Sequence, residues 1–265
     1  MTIQALIFDV DGTMVDTEEL HRQAFLAAFS KFDLRWDWGP HTYMELLKVS
    51  GGKERIAAYI DSLNEPADEK DRLKRLVRSF HRMKTRIYGE TLASGAAPLR
   101  PGVMRLIQEA RAAGVRLALV ATTNTANVKA LLSAALGGEA FGWIEALVGG
   151  DQVADADRKP SPETYNRALA ALGVAGRNCV AFEDSANGLR AAQAAGLFTA
   201  VTPTRWTMAQ DFTGADLLLP SLGDPGEAED PVIERLTGAL YLTLARIEAL
   251  HAAWQAGAQP PRGAA

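Results

Sequence analysis

The sequence is poor in cysteine, and this scarcity limits where the protein can work. Among 265 residues, Cys179 is the only cysteine, so no disulfide can form within the chain and a reducing compartment is expected. Because Cys179 lies inside the apolar stretch 178–182, a buried packing role is favoured over a nucleophilic one. A small secreted domain held together by its own disulfides is therefore excluded.

Long apolar runs and an excess of basic residues are also absent. No stretch approaches the ~18 consecutive apolar residues that cross a membrane, and the first residues lead into an expected strand without the regions of a secretory leader. The formal net charge is -4, which provides no positive surface for nucleic acid or an acidic membrane. We therefore expect a cytoplasmic protein that binds neither nucleic acid nor a membrane. We also expect a monomer whose partner is a small molecule.

What the sequence does contain is a series of short apolar runs, typical of strands buried on both faces of a parallel sheet. Hydrophobic residues make up 48% and charged residues 23% of the chain, as in ordinary globular proteins. The expected strands lie at 3–8, 115–121, 143–148, 179–182, 198–201 and 216–219. Helical patterns separate most of them, so the expected fold class is α/β, with a Rossmann-like, doubly wound parallel sheet.

Capping signals place three of the intervening helices. Pro101 begins one helix that Gly114 ends, and another runs from about residue 185 to 195 before Gly196. Between them, Ser161 is expected as an N-cap, with Pro162 at the first helical position.

One long stretch interrupts this alternation. From residue 17 to 94 the sequence has helical periodicity and no convincing strand, which predicts an all-helical cap inserted after the first strand. The core then comprises residues 1–16 and 95–220. An insertion that leaves from the end of a strand is well placed to act as a lid.

A separate tail, residues 221–265, follows the core. A linker rich in glycine, proline and acidic residues precedes 231–254, where apolar residues recur every three or four positions and predict an amphipathic helix. We favour packing of this helix on its own domain over a role in dimerisation. Residues 256–265 are expected to be disordered.

The candidate chemistry begins at the end of the first strand. Asp9 and Asp11 lie two residues apart, directly before Gly12, and open α/β sheets place ligands at the carboxyl ends of their strands. Two carboxylates in one crevice repel unless a cation or a proton separates them, which indicates metal-assisted acid/base or nucleophilic chemistry. An exposed acidic turn is the alternative, because Asp and Gly are common in turns.

Three further polar clusters follow later strands of the expected sheet. The run Thr122-Thr123-Asn124 offers hydroxyls and amides at a helix start, where oxyanions bind, although a plain N-cap is the alternative. Lys159 precedes a helix, and Glu183 and Asp184 follow a buried strand. Each cluster alone is weak evidence, whereas the order of acid pair, hydroxyl cluster, lysine and acid pair is far more specific.

That order resembles the haloacid dehalogenase superfamily of phosphotransferases, over about residues 1–220. Within the superfamily, the segments 16–21, 50–55 and 81–84 resemble the CbbY family. The resemblance implies a Mg²⁺-dependent phosphatase that works through an aspartyl-phosphate. Its implied substrate is xylulose-1,5-bisphosphate, whose C1 phosphate is removed to give xylulose-5-phosphate and to relieve inhibition of Rubisco.

The resemblance also implies a role for each polar residue of the core. Asp9 matches the nucleophile and Asp11 the acid/base. Lys159 would offset negative charge on Asp9 and on the phosphoryl oxygens. Mg²⁺ would lie between the Asp9 carboxylate, the Asp11 backbone carbonyl and Asp184, with Glu183 behind these ligands.

The implied site for the scissile phosphate is the start of the helix after the second core strand. The family has Ser or Thr directly after that strand, whereas this sequence has Ala121 there. We therefore expect Thr122, Thr123 and Asn124 to bind the scissile phosphate.

The other implied contacts, with the sugar and its second phosphate, lie in the helical insertion. Cations would clamp the phosphate distant from the scissile one, with arginine binding its oxygens bidentately. Glu18 and His21 would face sugar hydroxyls, or would instead cap the first helix of the insertion. The candidates in the insertion are Glu18, His21, Gly51, Gly52, Lys53, Glu54, Arg55, His81, Arg82 and Lys84.

Alternative functions remain open from the sequence. A sugar-phosphate mutase of the β-phosphoglucomutase kind would share Asp9, Asp11 and a histidine at the place of His21, and a phosphoglycolate-type phosphatase would differ only in its cap. A noncatalytic interaction module would have no need of Asp9, Asp11, Lys159 and Asp184 together.

Overall fold

The computed structural model describes residues 3–93, 97–226 and 230–257, and a parallel sheet lies at its centre. The strands are β1 (Ala5–Asp9), β2 (Arg116–Val120), β3 (Ala146–Val148), β4 (Cys179–Glu183), β5 (Phe198–Val201) and β6 (Leu217–Leu218). Their lateral order is β3-β2-β1-β4-β5-β6, and every pairing is parallel. The predicted α/β class with a doubly wound parallel sheet is confirmed, and each expected strand is present with slightly different ends.

The strand order reverses beside β1. This strand pairs with β2 on one side and with β4 on the other, so the chain winds outward from β1 in both directions. Every residue of β1 and β4 is buried, as expected for central strands of a sheet covered on both faces. The carboxyl ends of β1 and β4 therefore meet at the switch point where sheets of this kind bind ligands.

The chain divides into two compact units, one ending at Asp16 and resuming at Ala97, the other beginning at Thr17. The helices are α1 (Glu18–Ser30), α2 (Pro40–Leu46), α3 (Gly52–Ser62), α4 (Ala67–Ala93), α5 (Val103–Ala112), α6 (Thr125–Leu136), α7 (Gly138–Phe141), α8 (Glu163–Leu172), α9 (Ala186–Ala194), α10 (Pro231–Thr237) and α11 (Leu244–Gln255). Within the described ranges, none of these helices has both the length and the apolar content needed to span a bilayer.

The unit that begins at Thr17, called the helical unit below, has an aromatic core. The ring of Phe29 meets Trp36, Trp38 and Phe80 edge-on, at centroid distances of 4.9, 4.9 and 6.3 Å, an arrangement that aromatic pairs favour. Its described part, residues 17–93, contains helices and no strand, as its periodicity predicts. The predicted end of this insertion, at residue 94, lies outside the described residues.

The tail differs from the prediction of a single long helix, because α10 and α11 are separate. Gly238 has a φ of 67°, the left-handed conformation that ends α10. The Thr243 side chain then accepts the N–H of Arg246 and begins α11. The apolar period continues across the break because Leu242 in the connection is buried, so periodicity alone does not reveal it. Most of the segment expected to be disordered, 256–265, lies outside the described residues.

Helix α8 begins one residue later than expected. Pro162, and not Ser161, occupies its N-cap position, and Ser161 Oγ accepts the Glu163 N–H at 3.5 Å. Helix α9 starts at the expected place, where Ser185 accepts the Gly188 N–H at 3.2 Å as a side-chain N-cap.

Candidate active site

The carboxylate of Asp9 lies at the carboxyl end of β1, in the switch point of the sheet. The residue is only 6% exposed. Its Oδ1 accepts a hydrogen bond from Lys159 Nζ at 2.6 Å, and its Oδ2 accepts one from the Thr13 hydroxyl at 3.2 Å. Both oxygens of Asp9 are therefore held in place.

Lys159 connects the ends of β1 and β4. The residue is 3% exposed, and its ammonium also donates to Glu183 Oε1. The same Oε1 accepts a hydrogen bond from the Tyr165 hydroxyl at 2.6 Å, and Lys159 Nζ lies 5.3 Å from the centre of the Tyr165 ring. The ammonium is thus held between two carboxylates and beside an aromatic face.

Burial and charge act in opposite directions on this cluster. Burial raises the pKa of Asp9 to about 8, against the lowering effect of Lys159. Burial alone would lower the pKa of Lys159, but Asp9 and Glu183 outweigh it, so the net direction is upward. Burial, and then the charge of Glu183, raises the pKa of Tyr165 well above its ordinary value. Lys159 is thus a cation and Tyr165 a neutral donor, and a further positive charge beside Asp9 would favour its ionised form.

A tight turn after Asp9 carries Asp11 and Gly12. The Gly12 N–H donates to the Val15 carbonyl at 2.8 Å, and Gly12 has a φ of 90°, in the left-handed region. A Cβ at this position would overlap Asp184 Oδ2. Both the backbone conformation and the closeness of Asp184 therefore require glycine here.

Three buried carboxylates meet at this point of the fold. Asp9, Glu183 and Asp184 each offer an oxygen atom, and these atoms lie within 4.8 Å of one another. Each of these three carboxylates also accepts at least one hydrogen bond from the protein, so all three are candidate metal ligands. One lysine offsets only part of the charge of three carboxylates, so the donor set fits a hard divalent cation.

The polar residues after β2 form the start of α6. The Asn124 side chain accepts the Asn127 N–H at 2.9 Å, so Asn124 is an N-cap, which is the alternative considered for this run. The Thr123 carbonyl accepts the Gly150 N–H at 2.7 Å, and Thr122 is exposed. A role of these three residues in binding phosphate stays a prediction.

Within the helical unit, His21 and Lys84 form a buried pair. Lys84 Nζ lies 2.5 Å from His21 Nδ1, and the His21 ring stacks on Tyr88 with 3.9 Å between centroids. The ammonium also lies 4.8 Å and 4.7 Å from the ring centres of Phe25 and Tyr88, within the range of cation–π attraction. Two predicted substrate contacts are therefore in contact with each other.

The start of α3 lies against α4. A Cβ on Gly52 would be 2.7 Å from His81 Nε2, and Gly51 has a φ of 94°, in the left-handed region where glycine is favoured. Lys53 and Glu54 follow in the first turn of α3 and are half-buried. The predicted substrate contacts at the start of α3 therefore lie close to the one at His81.

Arg55 and Glu18 share a partner, Tyr43. Arg55 Nε donates to the Leu46 carbonyl at 3.1 Å, and its Nη1 donates to the Tyr43 hydroxyl at 3.2 Å. The Tyr43 hydroxyl in turn donates to Glu18 Oε2 at 2.8 Å. Glu18 therefore binds a tyrosine instead of capping α1, and Thr17 at the N-cap makes no side-chain capping bond.

The structure does not bring Arg82 to His81 and Lys84. Arg82 is exposed on α4, and its Nη2 donates to Ser79 Oγ at 3.0 Å. His81 and Lys84 are three positions apart and share a face of the helix, whereas Arg82 projects about 100° around the axis from His81. Residues that are close together in the sequence, as His81, Arg82 and Lys84 are, therefore do not all lie on one face of the helix.

Polar residues that the sequence motifs do not include also contact the acidic cluster or the turn beside it. Tyr165 occupies an apolar position in the period of α8, and its hydroxyl is the only sign of a polar role. The Thr207 hydroxyl, in the turn after β5, donates to Asp184 Oδ2 at 3.3 Å. Arg100 Nη1 donates to the Gly12 carbonyl at 2.5 Å. No local signal marks Thr207 or Arg100, because their contacts join distant segments.

Comparisons with known proteins cover most of the chain. A family model described as haloacid dehalogenase-like hydrolase matches residues 3–196, a range that includes Asp9, Asp11, Lys159 and Asp184. The plasmid-encoded protein CbbY of Cupriavidus necator is 45% identical over 251 residues, which is 94% of this chain and 97% of that protein.

This chain is also similar to solved structures of CbbY. The crystal structure of CbbY from Rhodobacter sphaeroides in complex with phosphate is 44% identical, with a TM-score of 0.76, and the match covers 84% of this chain and 96% of that chain. A mutant of CbbY from that organism, in complex with xylulose-(1,5)bisphosphate, is 43% identical, with a TM-score of 0.75 and the same coverage.

Proposed function

Because the chain belongs to the haloacid dehalogenase-like hydrolases and, within them, to the CbbY family, we propose that it removes the C1 phosphate of xylulose-1,5-bisphosphate. The product would be xylulose-5-phosphate, and loss of the bisphosphate would relieve inhibition of Rubisco. The observation that carries the proposal is the buried contact of Asp9 with Lys159 at the switch point of the sheet. A CbbY whose structure contains this bisphosphate supports the choice of substrate.

The chemistry begins with attack of the Asp9 carboxylate on phosphorus. A bond forms between Asp9 and phosphorus, the bond from phosphorus to the sugar oxygen breaks, and Asp11 donates its proton to the leaving alkoxide. Asp11 then takes a proton from the water that hydrolyses the aspartyl-phosphate. Free phosphate leaves, and Asp9 and Asp11 return to their starting states.

Lys159 acts in both steps by its charge. Its ammonium already contacts Asp9 Oδ1 at 2.6 Å, so it lies beside the oxygens that gain negative charge during transfer. Glu183 Oε1 accepts hydrogen bonds from both Lys159 and the Tyr165 hydroxyl, so Glu183 and Tyr165 together keep Lys159 in this place.

We also propose that the acidic cluster binds Mg²⁺, with Asp9, Asp184 and the Asp11 backbone carbonyl as the protein ligands. Magnesium prefers oxygen ligands, and it commonly binds one or two carboxylates together with a substrate phosphate. When bound, the ion supplies positive charge that offsets the phosphoryl oxygens.

We propose that the helical unit supplies the contacts to the sugar and to the second phosphate. Lys84 is the best supported of them, because its ammonium is buried beside the rings of Phe25 and Tyr88 and contacts His21 Nδ1. Arg55 and Arg82 are less well supported, since Arg55 bonds to backbone carbonyls and Arg82 is exposed. The other proposed contacts are Glu18, His21, Gly51, Gly52, Lys53, Glu54 and His81, with Thr122, Thr123 and Asn124 for the scissile phosphate.

We propose that the enzyme works as a cytoplasmic monomer. Cys179 is buried, and burial raises the pKa of its thiol to about 11, so it is an unreactive packing residue suited to a reducing compartment.

The test is a panel of mono- and bisphosphorylated sugars and phosphoglycolate, assayed for phosphate release with Mg²⁺ and with EDTA. We expect rapid release from xylulose-1,5-bisphosphate, much slower release from the monophosphates, and little release in EDTA. Isomerised sugar phosphate with little free phosphate would indicate a mutase instead. Rapid release from phosphoglycolate alone would indicate a phosphoglycolate-type phosphatase.

Asp9→Asn is the variant that tests the covalent step. An amide cannot replace the carboxylate as nucleophile, so we expect turnover to fall by about 10³-fold or more while circular dichroism remains that of the folded protein. Asp211→Asn, at an exposed position of the same unit, is the matched control and should keep full turnover. Residual activity of Asp9→Asn within tenfold of the parent would contradict the aspartyl-phosphate.

A further inference from the structure

The turn after β5 contacts the acidic cluster, although it carries no residue of the acid pairs, the hydroxyl cluster or the lysine identified in the sequence. Thr202, Thr204, Trp206 and Thr207 lie in this turn, and all four are buried. Strand β5 pairs with β4 in the sheet, and Asp184 directly follows the last residue of β4. Four buried residues in a connecting turn are unusual, because such turns normally run over the surface.

Hydrogen bonds within the turn set the direction of the Thr207 hydroxyl. Thr207 Oγ1 accepts the Thr204 N–H at 2.9 Å. Thr204 Oγ1 accepts the Trp206 N–H at 3.1 Å and lies 3.4 Å from Thr207 Oγ1, so the proton of Thr204 can point to Thr207. The proton of Thr207 is then directed to Asp184 Oδ2, at 3.3 Å.

Arg100 fixes this turn to the loop that carries Asp11 and Gly12. Its Nη1 donates to the Thr202 carbonyl at 2.6 Å and to the Gly12 carbonyl at 2.5 Å, and its Nη2 donates to the Pro203 carbonyl at 3.2 Å. One planar guanidinium therefore holds both segments that contact Asp184, because Gly12 lies directly against Asp184 Oδ2. The position of Thr207 relative to Asp184 is thereby built into the fold.

We propose that Thr207 is a positioning residue for Asp184, and that its hydroxyl orients this carboxylate toward the divalent cation. The inference rests on the proposed function in one respect, namely that Asp184 holds the cation. A hydrogen bond to one carboxylate oxygen restricts the rotation of the group and thereby sets the direction in which its two oxygens face. Hydrogen bonds of this kind to metal ligands commonly change metal affinity by about 10- to 100-fold.

The experiment measures Mg²⁺ binding to the full-length protein without substrate, by titration calorimetry. The variants are Thr207→Val, which keeps the shape and removes the hydroxyl, and Thr207→Ser, which keeps the hydroxyl. We expect Thr207→Val to bind Mg²⁺ roughly tenfold more weakly and Thr207→Ser to bind it nearly as well as the parent. In turnover assays, Thr207→Val should need more Mg²⁺ for half-maximal rate while its KM for the sugar phosphate at saturating Mg²⁺ stays unchanged.

Thr199→Val is the matched control. Thr199 is also buried, and its hydroxyl donates to the Leu197 carbonyl just before β5, away from the carboxylates of the acidic cluster. This control should lose stability without losing Mg²⁺ affinity. If Thr207→Val does not fold, Thr207→Ala compared with Thr207→Ser isolates the hydroxyl in the same way. Parent-like Mg²⁺ affinity in Thr207→Val or Thr207→Ala would overturn the proposal.

Asp184→Asn separates this inference from the proposed function. Weaker Mg²⁺ binding in Asp184→Asn together with unchanged binding in Thr207→Val would refute the positioning role and leave the metal assignment intact. Unchanged binding in Asp184→Asn would instead refute the assignment of Asp184 as a ligand, and with it the positioning role. Phosphate release from the panel of sugars tests the phosphatase independently of both.

Discussion

Glycine determines how closely α9 approaches the buried carboxylates. Gly188 lies in the first turn of α9, and a Cβ there would overlap Glu183 Oε2. Glu183 cannot easily move aside, because Lys159 and Tyr165 both donate to its Oε1. A methyl group at position 188 would therefore displace Glu183 or shift the helix.

We expect Gly188→Ala to impair both folding stability and turnover. Overpacking in a buried region costs about 1–3 kcal/mol, so urea unfolding should show a loss of this size. Because Lys159 loses a fixed partner when Glu183 moves, we also expect kcat to fall by roughly tenfold.

Gly138→Ala is the control for this substitution. Gly138 lies in α7, its φ is not positive, and nothing lies within 4 Å of a Cβ added there. The control should keep parent stability and kcat. If Gly188→Ala matched it in both measurements, the close approach of α9 to Glu183 would not constrain the site.

Asp9, Lys159 and Asp184 could be predicted to meet, because Asp9 ends β1, Asp184 directly follows β4, and Lys159 lies in the connection that leads from β3 to α8. The ends of parallel strands share one edge of the sheet, so the sequence order gives the spatial cluster. Tyr165 and Thr207 could not be predicted, since an aromatic residue on a helix and a threonine in a turn are ordinary in either role.

Arg105 attaches the C-terminal segment to α5. Its Nη1 bonds to Glu109 Oε1 at 2.6 Å, and its Nη2 donates to the carbonyls of Gly223 and Leu242 at 2.8 and 3.1 Å. Glu109 Oε2 accepts the Leu244 N–H at 2.7 Å, at the start of α11. One ion pair on α5 therefore satisfies backbone groups on both sides of α10.

We expect Arg105→Met to destabilise the protein without changing its chemistry. The variant removes the ion pairs of Arg105 with Glu109 and Asp224 and its hydrogen bonds to three backbone carbonyls of the C-terminal segment. We therefore expect a loss of about 2–4 kcal/mol in the free energy of unfolding measured with urea. The kcat of the folded fraction should stay that of the parent, because Arg105 contacts none of the catalytic residues.

Arg111→Met provides the comparison on the same helix. Arg111 is 52% exposed, and its contacts are Glu139 at 3.8 Å, which is 86% exposed, and the Trp143 ring, whose centre lies 4.1 Å away. Its removal should therefore cost about 1 kcal/mol. Equal losses for the two variants would show that the contacts of Arg105 with the tail do not stabilise it.

The C-terminal tail also shows that apolar periodicity does not reveal where one helix ends and the next begins. Apolar spacing predicts a single helix over 231–254, but Gly238 ends α10 and Thr243 begins α11. A left-handed glycine and a threonine cap are short signals, and a strong apolar period hides them when the connection between the helices is itself buried.

At the scale of the whole molecule, we expect the buried His251 to make the stability of the fold depend on pH. This residue is fully buried, its Nε2 lies 2.9 Å from the Arg177 carbonyl, and its ring meets Phe198 of β5 edge-on at 6.0 Å. Burial lowers the pKa of His251 below its ordinary value of 6.5. The unfolded chain therefore takes up this proton more readily than the folded chain does.

Stability should accordingly fall as the pH drops below about 6.5, by at most about 1.4 kcal/mol per pH unit from this one group. Above that pH the residue is neutral in both the folded and the unfolded state, so it does not make the free energy of unfolding depend on pH. We expect His251→Gln to lose less stability between pH 7 and pH 5 than the parent, as measured by urea unfolding at each pH, because glutamine does not titrate.

His41→Gln, at an exposed position, should leave the pH profile of the parent unchanged. A parent-like slope in His251→Gln would mean that other groups account for the acid sensitivity, and that the buried histidine is not its source.

The linear order of residues was sufficient for the α/β class, the set of strands and the meeting of Asp9 with Lys159 and Asp184. Those features depend on local preference and on the rule that parallel strand ends share an edge, and both can be read along the chain. The attachment of Thr207 to Asp184, the anchoring of its turn by Arg100 and the break between α10 and α11 depended on the tertiary structure. They arise from hydrogen bonds and packing between segments far apart in the chain, for which local sequence carries no signal.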